Sequence, residues 1–237
     1  MNPTIASITA RGLLGRRRFL ALLLLPAALV GVTILADIAP VPNADWATTV
    51  LVGLGFAVVV PLVALIIGTG VVGAEIDDGT LAHILAKPVP RAQIIATKLV
   101  VAVAATVAAV VPAMFVAGTL AGGARVGVGL AVGSALASTA YCAVFVAMSL
   151  LTSRPVLVGL AYVLLWEGML GSVIAGTQVL SVGQYGIAVA DAVADTSLLD
   201  GKVSVPVSLI LALVFTAGAT FLAIDRLRSY RLAGETG

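Results

Sequence analysis

Residues 48–74 read TTVLVGLGFAVVVPLVALIIGTGVVGA, and none of them is charged. An α-helix needs about 20 mostly apolar residues to cross the hydrocarbon core of a bilayer. The stretch is therefore long enough to span, and Pro61 inside it predicts a kink or a strong tilt. Five further segments have the same character: 19–36, 99–121 (with Pro112), 127–151, 156–174 and 203–225. The expected fold is all-α, a polytopic membrane protein with six transmembrane helices. Residues 1–18 precede them, and 226–237 form a tail.

Composition points the same way. The chain has 237 residues, 61% hydrophobic and 10% charged. Soluble domains carry about 25% charged residues, so a surface facing water could not be covered here. The first apolar segment follows Arg16-Arg17-Arg18 like a signal peptide, but it is longer than a usual signal core. Ile34 and Ala36 before Asp37 also do not make a small-x-small cleavage site, which favours a retained helix. Cys142 is the only cysteine and His83 the only histidine, so no His/Cys metal site is expected.

Lys and Arg set the orientation. With the amino terminus inside, inner segments hold Arg11, Arg16, Arg17, Arg18, Lys87, Arg91, Lys98, Arg154, Arg226, Arg228 and Arg231. Outer loops hold only Arg125 and Lys202. Both termini are thus expected in the cytoplasm. The lead before Phe19 mixes Ile5, Ile8 and Leu13 with polar and basic residues, which suits a cationic helix on the membrane surface or a disordered basic anchor.

The inner segment after the second span reads GAEIDDGTLAHILAKPVPRAQIIATK, residues 73–98. Glu75, Asp77 and Asp78 would oppose the dipole at the end of a continuing helix but favour the start of a new one. A break and a short helix from about Gly79 are expected. Leu81, Ile84 and Leu85 then share one face, Pro88 ends the element, and Pro90 opens the next helix. Such a helix either docks a partner or lays its stripe on the bilayer.

The run Glu75…Asp78-Gly79-Thr80-Leu81…Leu85-Ala86-Lys87-Pro88-Val89-Pro90-Arg91…Lys98 resembles the ABC-2 type permeases, with Pro90 at a position that is often Ser. Leu164-Leu165-Trp166-Glu167-Gly168 and the stretch Gly176 to Tyr185 are similar to members of the same family. The resemblance implies that the short inner helix inserts into a groove on a separate ATP-binding subunit. In that reading Gly79, Thr80, Leu81, Ile84, Leu85 and Pro88 form the docking element, and Glu75, Asp78 and Arg91 supply polar contacts. It further implies a bacterial inner-membrane exporter, paired with itself or a similar permease. ATP and Mg would be bound by the ATPase and no cofactor by this chain; membrane lipid is its surrounding partner and nucleic acid is not. Consistent with this, none of the three lysines lies in a G-x-x-x-x-G-K-[S/T] motif.

Glu167 is the one acid inside a predicted span. A charge there costs about 2.5–3.5 kcal/mol on insertion scales, so a role as hydrogen-bonding hub, pathway lining or proton carrier is expected. The last role would suit an ion-coupled secondary transporter, the alternative function. The outer stretch 175–202 is too long for a turn. Gln184, Ala188, Asp191 and Asp195 share a helical face there, as expected of a helix lying on the outer surface or dipping into the membrane and returning. Gly129 and Gly133 form a GxxxG pattern, suited to contact within the monomer or between copies.

Overall fold

The computed structural model describes residues 16–39, 42–77, 90–170 and 177–229. Among them every regular element is a helix. In chain order these are α1 (Arg16–Asp37), α2 (Asn43–Thr48), the π-helical π1 (Thr49–Val59), α3 (Val60–Asp77), α4 (Arg91–Gly122), α5 (Ala124–Leu151), α6 (Pro155–Ala161), the π-helical π2 (Tyr162–Leu170), a 3-10 turn (Thr177–Leu180), α7 (Val182–Ala194) and α8 (Val205–Ser229).

Four helical stretches among the described residues are long and apolar enough to cross a membrane: Trp46–Gly73, Arg91–Gly122, Ala124–Leu151 and Val205–Ser229. Two apolar helices, Leu22–Asp37 and Pro155–Glu167, are shorter. Large apolar side chains face outward along the helices, with Leu24, Leu35, Leu157, Leu164, Leu213 and Phe221 all more than half exposed. Hydrocarbon, not water, is the medium in which such a surface is at low free energy.

The expected kink at Pro61 takes a different form. The chain from Thr49 to Val59 winds as a π-helix, with the Val60 N–H bonded to the Gly55 carbonyl, before Pro61 enters the first turn of α3. Proline lacks an N–H and crowds the preceding turn. Here the wider winding lies directly before it within one continuous stretch from Trp46 to Gly73, and a local π adjustment is a way for a spanning helix to accommodate an interior proline.

A second difference concerns the acids after the second segment. Helix α3 does not break before them but continues through Asp77. Its dipole is offset from another helix: Lys98 of α4 is buried, and its Nζ donates to the Val71 carbonyl at 2.6 Å. A cation near a helix carboxy end is stabilising, which reduces the penalty expected for Glu75 and Asp77 there.

Helix α5 is the centre of the molecule and packs against α3, α4, α7 and α8. Its connection to α4 is a single residue, Gly123, with φ 86°, a conformation glycine adopts without penalty. Interhelical contacts sort the structure into two ends. At one end, Thr48 Oγ1 donates to the Leu198 carbonyl at 2.9 Å. Arg125 there pairs with Asp195 at 3.3 Å and donates to the Val193 carbonyl. At the other end lie the close of α3, the start of α4 and the close of α8.

Helix α7 lies antiparallel to α5 inside the bundle. Gly129 of α5 meets Ala190 and Ala194, Gly133 meets Gly186 and Ala190, and the Tyr141 hydroxyl lies beside Gly183. The GxxxG pair is therefore used within the chain. From Gly129 to Tyr141 is about 18 Å along the α5 axis at 1.5 Å per residue, so α7 runs from the Asp195 end to well inside the bundle. The face shared by Gln184, Ala188, Asp191 and Asp195 turns inward only in part: Ala188 is buried and Asp191 accepts the Gly201 N–H at 3.1 Å, whereas Asp195 at the end is exposed. Sequence periodicity finds the faces of a helix but not its depth.

A methyl group at Gly133 would collide with the Gly186 carbonyl, whereas Gly218 on α8 has open space around it. Gly133→Ala is expected to destabilise the protein by about 1–3 kcal/mol, the usual cost of overpacking, and Gly218→Ala to be neutral or better. Thermal unfolding in detergent measures both, and equal unfolding temperatures would contradict this packing.

Candidate functional site

Two places hold the residues singled out by the sequence. The first is the stretch between α3 and α4. Of the expected docking residues, Asp78, Gly79, Thr80, Leu81, Ile84, Leu85 and Pro88 lie outside the described residues. Glu75 belongs to the last turn of α3. Arg91 is the first residue of α4, preceded by Pro90 as its N-cap. Its guanidinium is turned toward another helix: Nη1 donates to the carbonyls of Leu227 at 2.5 Å and Arg228 at 2.7 Å. Those carbonyls belong to the last turn of α8, where acceptors have no partner within the helix.

The second place is the amino end of α7, deep in the bundle. The first N–H groups of any helix lack intrahelical acceptors and carry partial positive charge, and a buried end must find partners. Ser181 is the N-cap: its Oγ accepts the Gln184 N–H at 3.3 Å. Glu167 of π2 completes the closure. Its Oε1 accepts the Val182 N–H at 3.0 Å, and its Oε2 accepts the Ser181 hydroxyl at 2.5 Å. The Tyr162 hydroxyl adds a longer contact of 3.4 Å to Oε1. Next to it, the Trp166 indole N–H donates to the Leu180 carbonyl at 3.3 Å, and the Tyr185 hydroxyl donates to the Val179 carbonyl at 2.6 Å. The fifth apolar segment thus grips the start of α7 with two consecutive side chains.

Hydrogen bonds to charged groups contribute about 1.5–3 kcal/mol each. Two such bonds offset the insertion cost of one carboxylate. Of the roles open to Glu167, this geometry displays that of a hub. The two stretches singled out together in the sequence, Leu164–Gly168 and Gly176–Tyr185, meet in space through these contacts.

Sequence reading missed Ser181 and Tyr162 as partners of Glu167. One signal was present: Ser181-Val182-Gly183-Gln184 has the Ser-x-x-Gln spacing that marks a helix start. No local signal exists for the Arg91 contact, which joins residues more than a hundred positions apart.

The comparison with known proteins bears on both places. A family model described as ABC-2 family transporter protein matches residues 15–184. The chain belongs to the ABC-2 transporter family. The match runs from the start of α1 to the first turn of α7, so the ABC-2 region includes the α3–α4 connection and the Glu167 cluster. No curated protein matches the chain. This ABC-2 protein is a membrane permease of the ABC transporter class, and subunits of that kind normally work with an ATPase subunit.

Glu167→Ala and Ser181→Ala are each expected to lower stability by about 1–3 kcal/mol, the cost of orphaning a buried partner. The double variant should lose less than the two losses combined, by about 0.5–3 kcal/mol, because both act on one contact. Chemical or thermal unfolding of the four proteins in one detergent measures the coupling. Strict additivity would dissociate Glu167 from the α7 cap.

Proposed function

We propose that this ABC-2 protein is the six-span, translocation-forming subunit of an ATP-driven exporter, with both termini in the cytoplasm. The family match over residues 15–184, on a chain without a P-loop, carries the reading. Eleven of thirteen basic residues fall on the termini side of a six-span path, which supports the orientation. In that path α1 and the α6–π2 pair are the first and fifth spans. The segment from Asp78 to Pro90 faces the cytoplasm and inserts into a separate ATPase, with Leu81, Ile84 and Leu85 as its apolar grip and ATP and Mg held by the ATPase. Two permease chains, identical or similar, pair with two ATPases. The ion-coupled alternative centred on Glu167 is not favoured, because the carboxylate is engaged in closing α7.

Leu85→Asp places a charge in the proposed apolar contact, and an unpaired buried charge is strongly unfavourable. The variant is expected to retain the wild-type unfolding temperature and elution profile while losing at least about tenfold in affinity for its ATPase, or about 1.4 kcal/mol. ATP hydrolysis by the affinity-purified complex reports that loss. A variant that recovers wild-type ATPase activity would refute the docking assignment.

A further inference from the structure

Helix α4 emerges directly from the Asp78–Pro90 connection, and its first residue is bonded to a helix that does not flank that connection. Arg91 Nη1 donates to two carbonyls in the last turn of α8, near the exposed residues Asp225, Arg226 and Arg228. Two turns further on, Lys98 donates to the α3 carbonyl of Val71. Seven residues advance a helix by nearly two full turns, so the two cations leave α4 on nearly the same side. The last turn of α8 and the Val71 level of α3 are thus both held by side chains of α4.

The two contacts have different consequences. Helix α3 is already joined to the connection by the chain itself, so the Lys98 bond strengthens an existing link. Helix α8 has no direct chain link to the connection; it packs on α5, α7 and α4 while burying few residues of its own, Ser208, Ala212, Ala223 and Leu227. The Arg91 bonds fasten its last turn to the first residue of α4. The guanidinium offers several fixed donors, and its charge complements the negative end of the α8 dipole.

We propose that Arg91 is a positioning residue that transmits displacement of the Asp78–Pro90 segment to α8, so that the last helix moves with α4 during the transport cycle. The proposal rests on the docking reading above. It assigns Arg91 an intramolecular task in place of the polar ATPase contact that the family resemblance implies.

The test uses the full-length protein in complex with its ATPase in lipid nanodiscs, on a Cys142→Ala background. Spin labels at Ser153→Cys, just after α5, and Ser229→Cys, at the end of α8, report the distance between the central and last helices. The distance is measured without nucleotide and after trapping with ATP, Mg and vanadate. With Arg91 intact, trapping is expected to shift the distance. Arg91→Gln should still co-purify with the ATPase but lose at least half of the shift, and Arg91→Lys, which keeps a charged donor, should restore most of it. A full shift in Arg91→Gln, no shift with Arg91 intact, or loss of co-purification in Arg91→Gln would each overturn the proposal. Leu85→Asp separates the two ideas: if it keeps both ATPase association and the shift, the docking reading fails, whereas a full shift in Arg91→Gln alone defeats only the role of Arg91.

Discussion

A helix that ends inside an apolar medium must find acceptors for its first N–H groups, and that requirement organises the upper half of this molecule. Helix α7 begins within the bundle, with Ser181 and Val182 buried. Ser181 accepts one N–H, and Glu167 accepts another together with the Ser181 hydroxyl. The same carboxylate would be expensive on an isolated spanning helix. Each group makes the other tolerable: a carboxylate beside the positive end of a helix. The close approach of α5 and α7 at Gly129, Gly133 and Gly186 sets where that end can lie.

The other end answers the opposite requirement, acceptors without donors: the last turn of α8 presents carbonyls to Arg91 of α4, while Lys98 of α4 donates to the Val71 carbonyl inside α3. The first residue of α4 and the last turn of α8 are thereby tied together beside the α3–α4 connection. The molecule has one end where a buried half-length helix packs into the bundle and one end where side-chain cations gather helix termini.

Much of the architecture was legible in the sequence. Apolar composition pointed to the all-helical character, and four of the described helical stretches are long and apolar enough to cross a membrane. The Gly129/Gly133 pair marked a close contact, although its partner helix was not specified by spacing. The single acid Glu167 stood out because of its cost. What was not legible depended on contacts distant in sequence. The π-helical winding before Pro61 is one such feature: within it Phe56 is buried and Gly55 lies against Met114 of α4, contacts that no local pattern specifies. Continuation of α3 through Asp77 ran against the dipole expectation because Lys98 reaches Val71 from the neighbouring helix. The depth of α7 could not follow from a face pattern, since buried small residues and solvated small residues look alike in a chain rich in alanine and glycine.

The two-ended account is tested most directly by the side of the membrane on which each end lies. Single cysteines at Leu85→Cys and Lys202→Cys, on a Cys142→Ala background, can be labelled with a membrane-impermeant maleimide in intact cells and again after permeabilisation. The account predicts labelling at position 202 from outside and at position 85 only after permeabilisation. Labelling of position 85 in intact cells would place the docking segment away from any cytoplasmic ATPase and contradict the proposed function.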